Sequence, residues 1–353
     1  MIIMLALGFG AASLAADNVP ASPTLGAQAE KLIKENLPVC SVAQKVSRAE
    51  LKHKLPANMV ASVVRIESER NACAGQWVAI VTNEGDFFMG VPWFLEDSEG
   101  TLEDRLKAFG WKQMNQGLTP IIDRTKTRDG LFKASVAQTT EVGPMPLLGE
   151  IDPNGSVFFI GRFIPLNSDI RNERLKAFEP YLSKSPVTGA KNPVVTVIEF
   201  SDFECPSCQR AAGYMKPLLE KYGDKLRYVR YDLPLVSMHP WAFSAAVAGR
   251  AVYNQKPDLF WKYKEFVYEN QEKLNAFTID DKLRGWAQDH ELDLKRYDAD
   301  VNDTELRKSI LTGAGVAFSN DVRATPTYVI NGVTVDAGDG KALEAYVAGL
   351  LKK

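Results

Sequence analysis

The 353-residue sequence has no basic block or stripe, and its formal net charge at pH 7 is −2. Proteins that bind nucleic acid usually cluster lysine and arginine to neutralise phosphates, so this composition argues against a nucleic-acid partner. Histidine and cysteine are also scarce, and the three histidines, His53, His239 and His290, lack the spacing of metal ligands. We therefore expect no metal site.

Long apolar runs are absent except at residues 1–16, which form an apolar segment that ends in small residues. This pattern is typical of a signal peptide cleaved near Ala15 or Ala16, and it is too short for a comfortable membrane span. The usual positive n-region is missing, which indicates that the signal is truncated. We expect a periplasmic or secreted protein, in which an oxidising environment would let the four cysteines form two pairs.

Two of the cysteines stand together in the stretch Cys205-Pro206-Ser207-Cys208, directly after the β-branched run at 194–200 and at the start of a helical pattern. The sequence therefore predicts two thiols at the N-terminus of a helix that follows a buried strand. The unpaired N–H groups and positive partial charge of such a helix end favour a thiolate. We expect Cys205 to be the exposed, acidic and attacking thiol, and Cys208 to be the resolving thiol.

Glu199 lies within the predicted strand, six residues before Cys205, where a buried carboxylate is costly unless it has a task. It could accept and return the proton of Cys208, or it could be an acid at a strand edge. Strand, acid, Cys-x-x-Cys and helix together resemble the thioredoxin fold, and the stretch from Glu199 to Cys205 resembles its DsbA-type branch. The alternative, half of a zinc site, lacks a second Cys-x-x-Cys.

The resemblance covers residues 193–353 and implies an α/β thioredoxin-like fold with a helical subdomain inserted at about 240–320. In the family, the proline that matches Pro326 is cis and lies against the Cys-x-x-Cys. The backbone of the residue before it, here Thr325, pairs with a substrate strand, while Pro206 and Ser207 would border the same substrate. The simpler alternative for Pro326 is a strand start.

His239 precedes the predicted helical block, where it could polarise the thiolate. A histidine at the start of a helix is more often a surface residue. Both interpretations stay open at this point.

Residues 38–182 are predicted to form an α+β domain with an internal hairpin repeat, after a leader at 17–37 and before a Pro/Gly/Ser-rich linker at 183–192. The repeat relates 77–90 to 147–161, and each copy predicts two strands joined by a glycine turn. Each copy is followed by the pentapeptide Arg-Leu-Lys-Ala-Phe. The domain distantly resembles the dimerising N-terminal domains of DsbC- and DsbG-type isomerases, but it is longer and duplicated.

Two further features of this domain bear on its role. Cys40 and Cys73 are 33 residues apart, which favours a structural disulfide, with a second, regulatory redox pair as the alternative.

The adjacent phenylalanines at 87–88 and 158–159 must point to opposite sides of their strands. We therefore expect at least one ring per hairpin to face away from the domain core, which predicts a homodimer or a substrate cleft.

These patterns together predict an exported thiol–disulfide oxidoreductase that forms or rearranges disulfides in substrate proteins. This thiol–disulfide chemistry needs no organic cofactor. The resemblance implies two kinds of partner: unfolded or misfolded cysteine-containing proteins, and a membrane redox partner that re-oxidises or reduces the cysteine pair. The Pro-Ser dipeptide lacks the histidine typical of the strongest oxidants, so the sequence leaves oxidase, isomerase and reductase open. The competing hypothesis is a chaperone-like binding protein with structural cysteines.

Overall fold

The computed structural model of the chain describes residues 23–40, 42–70, 73–140, 142–337 and 340–352, so the predicted signal peptide at 1–16 lies outside them. Within these residues the chain forms one eight-stranded and one five-stranded sheet. The N-terminal part contains α1 (Pro23–Asn36), β1 (Lys45–Ala49), β2 (Met59–Glu67), β3 (Gly75–Thr82), β4 (Asp86–Phe94), α2 (Leu102–Phe109), β5 (Leu118–Lys126), β6 (Phe132–Thr140), β7 (Gly143–Ile151), β8 (Val157–Pro165) and α3 (Ile170–Leu182).

The eight-stranded sheet consists of two four-stranded halves, in the order β1-β2-β3-β4-β8-β7-β6-β5, and a helix follows each half. The halves meet where Gly90 lies opposite Gly161. Both glycines have positive φ, and a Cβ on either would lie 2.0 or 2.2 Å from a carbonyl oxygen of the facing strand. Only glycine permits this approach. The glycine shared by the two copies of the predicted repeat therefore marks the centre of the sheet.

The prediction that these hairpins expose a phenylalanine face is wrong. Phe88, Phe158 and Phe159 are at most 3% exposed, and Phe87 is half-buried. The rings do point to opposite sides, but both sides are covered. Phe158 packs in the core beneath α2, while Phe88 and Phe159 pack together on the other face, where the β5–β6 turn folds over them. A hydrogen bond of 3.0 Å from the amide of Asn58 to the carbonyl of Asp129 fastens that turn.

The C-terminal part forms the five-stranded sheet in the order β13-β12-β10-β11-β9, with β10 parallel to β11. Five helices, α6 to α10, lie between β11 and β12, which confirms the inserted helical subdomain and the predicted fold class. Its elements are β9 (Val187–Gly189), β10 (Val195–Ser201), α4 (Pro206–Ala211), α5 (Met215–Tyr222), β11 (Leu226–Asp232), α6 (Ala242–Gln255), α7 (Leu259–Glu269), α8 (Ile279–Asp289), α9 (Leu294–Val301), α10 (Thr304–Ser319), β12 (Thr327–Ile330), β13 (Val333–Val335) and α11 (Lys341–Leu351).

The predicted linker needs correction. The predicted linker at 183–192 contains β9, which pairs antiparallel with β11 and so belongs to the five-stranded sheet. Composition suggested a connecting segment there, because a three-residue strand leaves little local signal. The leader predicted at 17–37 includes a short helix predicted around residues 27–35, and α1 is that helix, with Ala29 and Ile33 buried against β2 and β3.

Cys40 and Cys73 form a disulfide with a Cα–Cα distance of 6.1 Å, between the end of α1 and the β2–β3 connection. The adjacent Val39 lies beside β13 of the other sheet, donating to the carbonyl of Thr334 and accepting from the N–H of Asp336, both over 2.9 Å. Arg70 forms an ion pair of 2.6 Å with Asp336. The disulfide therefore lies where the N-terminal domain contacts the second sheet.

If this disulfide is structural, replacing both cysteines with alanine should lower the free energy of unfolding by about 3–4 kcal/mol, the chain-entropy value for a loop of this size. The reactivity of Cys205 and Cys208 should persist. Urea unfolding measures the first effect and thiol labelling the second. Loss of thiol reactivity in a variant that still unfolds cooperatively would favour the regulatory alternative instead.

Candidate active site

The loop after β10 delivers Cys205 to the start of α4. Cys205 is the N-cap residue, with φ −71° and ψ 120°, and Pro206 occupies the first helical turn, where its missing N–H costs nothing. Cys205 is 7% exposed and Cys208 is fully buried, and both are free thiols. Cys205 is thus the more exposed of the two cysteines, although it is more deeply buried than the sequence predicted.

The two thiols differ sharply in acidity. The hydrogen bond from the Cys208 thiol, together with the backbone N–H groups of Ser207 and Cys208, outweighs burial and lowers the pKa of Cys205 to about 5. Burial, the neighbouring Cys205 sulfur and the charge of Glu199 raise the pKa of Cys208 well above its usual range. At neutral pH the pair therefore holds a thiolate at Cys205 and a thiol at Cys208.

Asp202, which sequence reasoning missed, organises the loop before Cys205. One carboxylate oxygen accepts from the N–H groups of Glu204 and Cys205, at 2.7 and 3.2 Å. The other accepts from the N–H of Leu235 at 2.7 Å and pairs with Nδ1 of His239 at 2.8 Å. The hydrogen bond from the N–H of Glu204 to Asp202 forms an Asx turn. The aspartate in the Ser-Asp-Phe-Glu stretch is the local sequence signal that could have predicted this turn.

His239 is therefore a member of the site rather than a free surface residue. Burial opposes its protonation, but the hydrogen bond and charge of Asp202, with the charges of Cys205 and Glu204, raise the pKa of His239 above its usual value. A protonated imidazole here adds positive charge to the surroundings of the Cys205 thiolate and so favours that thiolate.

Glu199 is fully buried in β10, the central strand of its sheet, so the alternative of an acid at an edge is wrong. One of its oxygens accepts from the hydroxyl of Tyr228 at 2.6 Å and lies 3.7 Å from Nζ of Lys264. Nζ of Lys264 also donates to that hydroxyl, over 2.7 Å. Burial lowers the pKa of Lys264, partly offset by the charge of Glu199. The structure thus adds a buried ammonium and a phenol to the predicted acid.

Lys264 and Tyr228 were not among the predicted site residues. Lys264 is 5% exposed on α7, between the buried rings of Tyr263 and Tyr268. A lone lysine on such an aromatic helix face is the signal that could have identified it, because an unpaired buried ammonium is too costly to be retained. Tyr228 gave no comparable signal, since a tyrosine in a buried strand is ordinary.

The Thr325–Pro326 peptide bond is cis, as predicted, and Pro326 directly precedes β12. The carbonyl oxygen of Thr325 lies 3.5 Å from Sγ of Cys205. Pro206 is exposed beside this sulfur, and the half-buried Ser207 accepts a hydrogen bond from Arg210 at 2.7 Å. The four residues predicted to contact substrate therefore lie near the attacking thiol, and their binding role stays a prediction.

Within the described ranges, there is no group of three or more histidine, cysteine, aspartate or glutamate side chains that could hold a metal ion. In the same ranges, no helix has the length and apolar character needed to cross a membrane.

Comparisons with known proteins place this geometry in a family. Residues 182–348 match a family model described as Thioredoxin. Over 146 residues the chain is 32% identical to a Na(+)/H(+) antiporter NhaA of Herminiimonas arsenicoxydans, covering 41% of this chain and 22% of that protein. Over 187 residues it is 26% identical to the probable disulfide bond formation protein D of Bacillus cereus, covering 50% of this chain and 87% of that protein. The chain spans about a fifth of the length of the antiporters it matches.

Solved structures resemble the same part of the chain. The oxidised BdbD of Bacillus subtilis covers 49% of this chain and 95% of its own, at 21% identity and a TM-score of 0.43. The catalytic domain of Proteus mirabilis ScsC covers 52% of this chain and all of its own, at 21% identity and a TM-score of 0.44.

The family match takes in the five-stranded sheet, the Cys-x-x-Cys helix and the inserted helices, so this part of the chain is a thioredoxin-fold domain. Its helical insertion and the acid six residues before Cys205 resemble the DsbA-type branch of that fold. The eight-stranded sheet lies outside the family match. Its likeness to the N-terminal domains of DsbC- and DsbG-type isomerases stays a prediction.

Proposed function

We propose that the protein is an exported thiol–disulfide oxidoreductase that forms or rearranges disulfides in cysteine-containing proteins. The observation that carries the proposal is the asymmetry of the cysteine pair, with the pKa of Cys205 lowered to about 5 and that of the buried Cys208 raised. One sulfur is then a nucleophile and good leaving group at neutral pH, and the other holds its proton in reserve. The similarity to a protein named for disulfide bond formation supports the same class.

In the oxidising direction, a substrate thiolate attacks Sγ of Cys205 in the Cys205–Cys208 disulfide. A mixed disulfide forms, and Cys208 leaves as a thiolate that takes up a proton. A second substrate thiolate then attacks the substrate sulfur of the mixed disulfide and releases Cys205 as a thiolate. Two electrons pass from substrate to enzyme. The low pKa of Cys205 stabilises the reduced pair, which supports an oxidant over a reductase.

We propose the remaining roles from the positions of the residues. Glu199 would accept and return the proton of Cys208, with Lys264 and Tyr228 holding its carboxylate. The backbone of Thr325 would pair with a substrate strand, and Pro326, Pro206 and Ser207 would border it. A membrane redox partner would re-oxidise the pair after each turnover. The homodimer predicted from the sequence loses its basis in the phenylalanine pairs, because those rings are buried.

The test is to add the oxidised full chain to a reduced, unfolded protein such as reduced ribonuclease A and to follow its free thiols with time. We expect one substrate disulfide per molecule of added enzyme, and none with a Cys205→Ser variant. A chaperone-like binding protein would suppress aggregation without consuming thiols. Unchanged thiol content with the wild-type chain would therefore reject the proposed function.

A further inference from the structure

Helix α10 of the inserted subdomain packs along β7 of the N-terminal sheet. The approach is close at Gly315, where a Cβ would lie 2.0 Å from the carbonyl oxygen of Pro146. Phe318 packs against the core of the N-terminal sheet, and its ring contacts Trp93 edge-on with a centroid distance of 6.4 Å. Met145 packs against this core and also against the core beneath α10. The two domains therefore share a continuous apolar interior along this helix.

Arg162 of β8 extends the contact to the end of α10. Its Nη1 donates to Oδ1 of Asn320 over 3.2 Å, and its Nη2 donates to the carbonyl oxygen of Glu173 over 2.7 Å. Asn320 is 3% exposed and donates through Nδ2 to the carbonyl oxygen of Val316 over 2.8 Å. Arg162 thus holds the side-chain amide that closes the last turn of the helix.

The cis-proline loop, defined here as residues 321–326, begins at that point. Val322 is 2% exposed in the core beneath α10, and its N–H donates to the carbonyl oxygen of Ala317 over 3.0 Å. Three residues later, the carbonyl oxygen of Thr325 lies 3.5 Å from Sγ of Cys205. Residues 321–325 therefore connect the Arg162–Asn320 contact to the attacking sulfur.

We propose that the N-terminal domain positions the cis-proline loop and that Arg162 is the positioning residue through which it acts. The proposal rests on the proposed function, because that function gives the loop a substrate strand to bind. Main-chain pairing demands that the Thr325 backbone be held in one place before the substrate arrives, since ordering it on binding would cost affinity. A domain that does not touch the substrate can raise substrate affinity in this way.

Three variants of the full chain test the proposal: Arg162→Ala, Arg162→Lys and the control Arg124→Ala. Arg124 forms an exposed ion pair of 2.8 Å with Glu103, so the control removes the same charge from the same domain without touching α10. We expect Arg162→Ala to raise the KM for a reduced protein substrate about fivefold, the effect of losing one hydrogen bond to a buried group. Arg162→Lys should recover part of it, and Arg124→Ala should change nothing.

Two further readouts separate positioning from a general loss of structure. The carbonyl oxygen of Thr325 lies 3.5 Å from Sγ of Cys205, so a changed rate of iodoacetamide labelling at Cys205 in Arg162→Ala alone would also report movement of the loop. Hydrogen exchange of the amides at 321–325 should be faster in Arg162→Ala, while exchange in β4 and β8 stays unchanged. This readout needs no turnover, so it decides the positioning role even if the wild-type chain fails the thiol assay and the proposed function falls. Equal KM and equal loop exchange in Arg162→Ala and Arg124→Ala would overturn the proposal.

Discussion

A Cys208→Ser variant should accumulate mixed disulfides with substrate proteins, and a Cys205→Ser variant should accumulate none. With its pKa lowered to about 5, Cys205 is a thiolate at neutral pH and attacks a substrate disulfide, forming a Cys205–substrate disulfide and releasing one substrate thiolate. Without Cys208 the bond to Cys205 is not resolved from within the site. The buried Cys208, whose pKa is raised, is a poor nucleophile when it stands alone.

Non-reducing electrophoresis after acid quenching measures the trapped species, and mass spectrometry identifies the sulfur. Iodoacetamide at pH 6 should label Cys205 alone in the reduced wild-type chain. The reduced chain should also lose stability relative to the oxidised chain as the pH falls toward 5, because a thiol whose folded pKa is depressed stabilises the fold only while it is ionised. Equal trapping by the two serine variants would reverse the assignment of roles.

Glu199→Gln should slow the resolution of a Cys205 mixed disulfide by about 100-fold, the lower range for loss of a positioned proton carrier. Glutamine keeps the volume of the side chain and can still accept from the hydroxyl of Tyr228, but it cannot take a proton from Cys208. The rate of Cys205 alkylation should change little. Stopped-flow measurement of the resolution step, started from a preformed mixed disulfide, gives the rate directly.

Lys264→Met provides the companion test of the buried pair. It leaves the Glu199 carboxylate buried with only the hydroxyl of Tyr228, so the free energy of unfolding should fall by about 3 kcal/mol. Lys262→Met is the matched control, because Lys262 is exposed on the same helix. If Glu199→Gln resolves mixed disulfides at the wild-type rate, Glu199 is a structural acid and not a proton carrier.

The C-terminal domain was predictable because its signals are local. The β-branched strand, the acid and the Cys-x-x-Cys lie in one short stretch whose chemistry is recognisable without its neighbours, and the cis-proline was predicted from the resemblance that this stretch carries. Lys264 and Tyr228 were not predictable as a pair, since they come from a helix and a strand separated by 36 residues and meet only when both pack under Cys208. The same holds for Asp202 and His239, whose contact depends on where the loop after β11 returns.

The packing of the N-terminal domain was less predictable from the sequence. Alternation along the strands correctly placed adjacent phenylalanines on opposite sides, but it carried no information about what covers each side. The β5–β6 turn covers Phe88 and Phe159, and this contact joins residues that are distant in the sequence. The duplication was visible in the sequence because Gly90 and Gly161 each lie too close to the facing backbone for any other residue. Glycine therefore recurs at this place in both copies.

The position of Val39 has a consequence for a protein proposed to handle unfolded chains. Strand β13 ends the five-stranded sheet, and a bare strand at that place would offer its N–H and C=O groups to any extended polypeptide, including a second copy of the chain. Val39 pairs with the carbonyl oxygen of Thr334 and the N–H of Asp336 at this edge, and the Cys40–Cys73 disulfide links its neighbour Cys40 to the β2–β3 connection, where Arg70 pairs with Asp336. In the proposed function, this contact would keep substrate chains from pairing at this place on β13, while the backbone of Thr325 would pair with them beside Cys205.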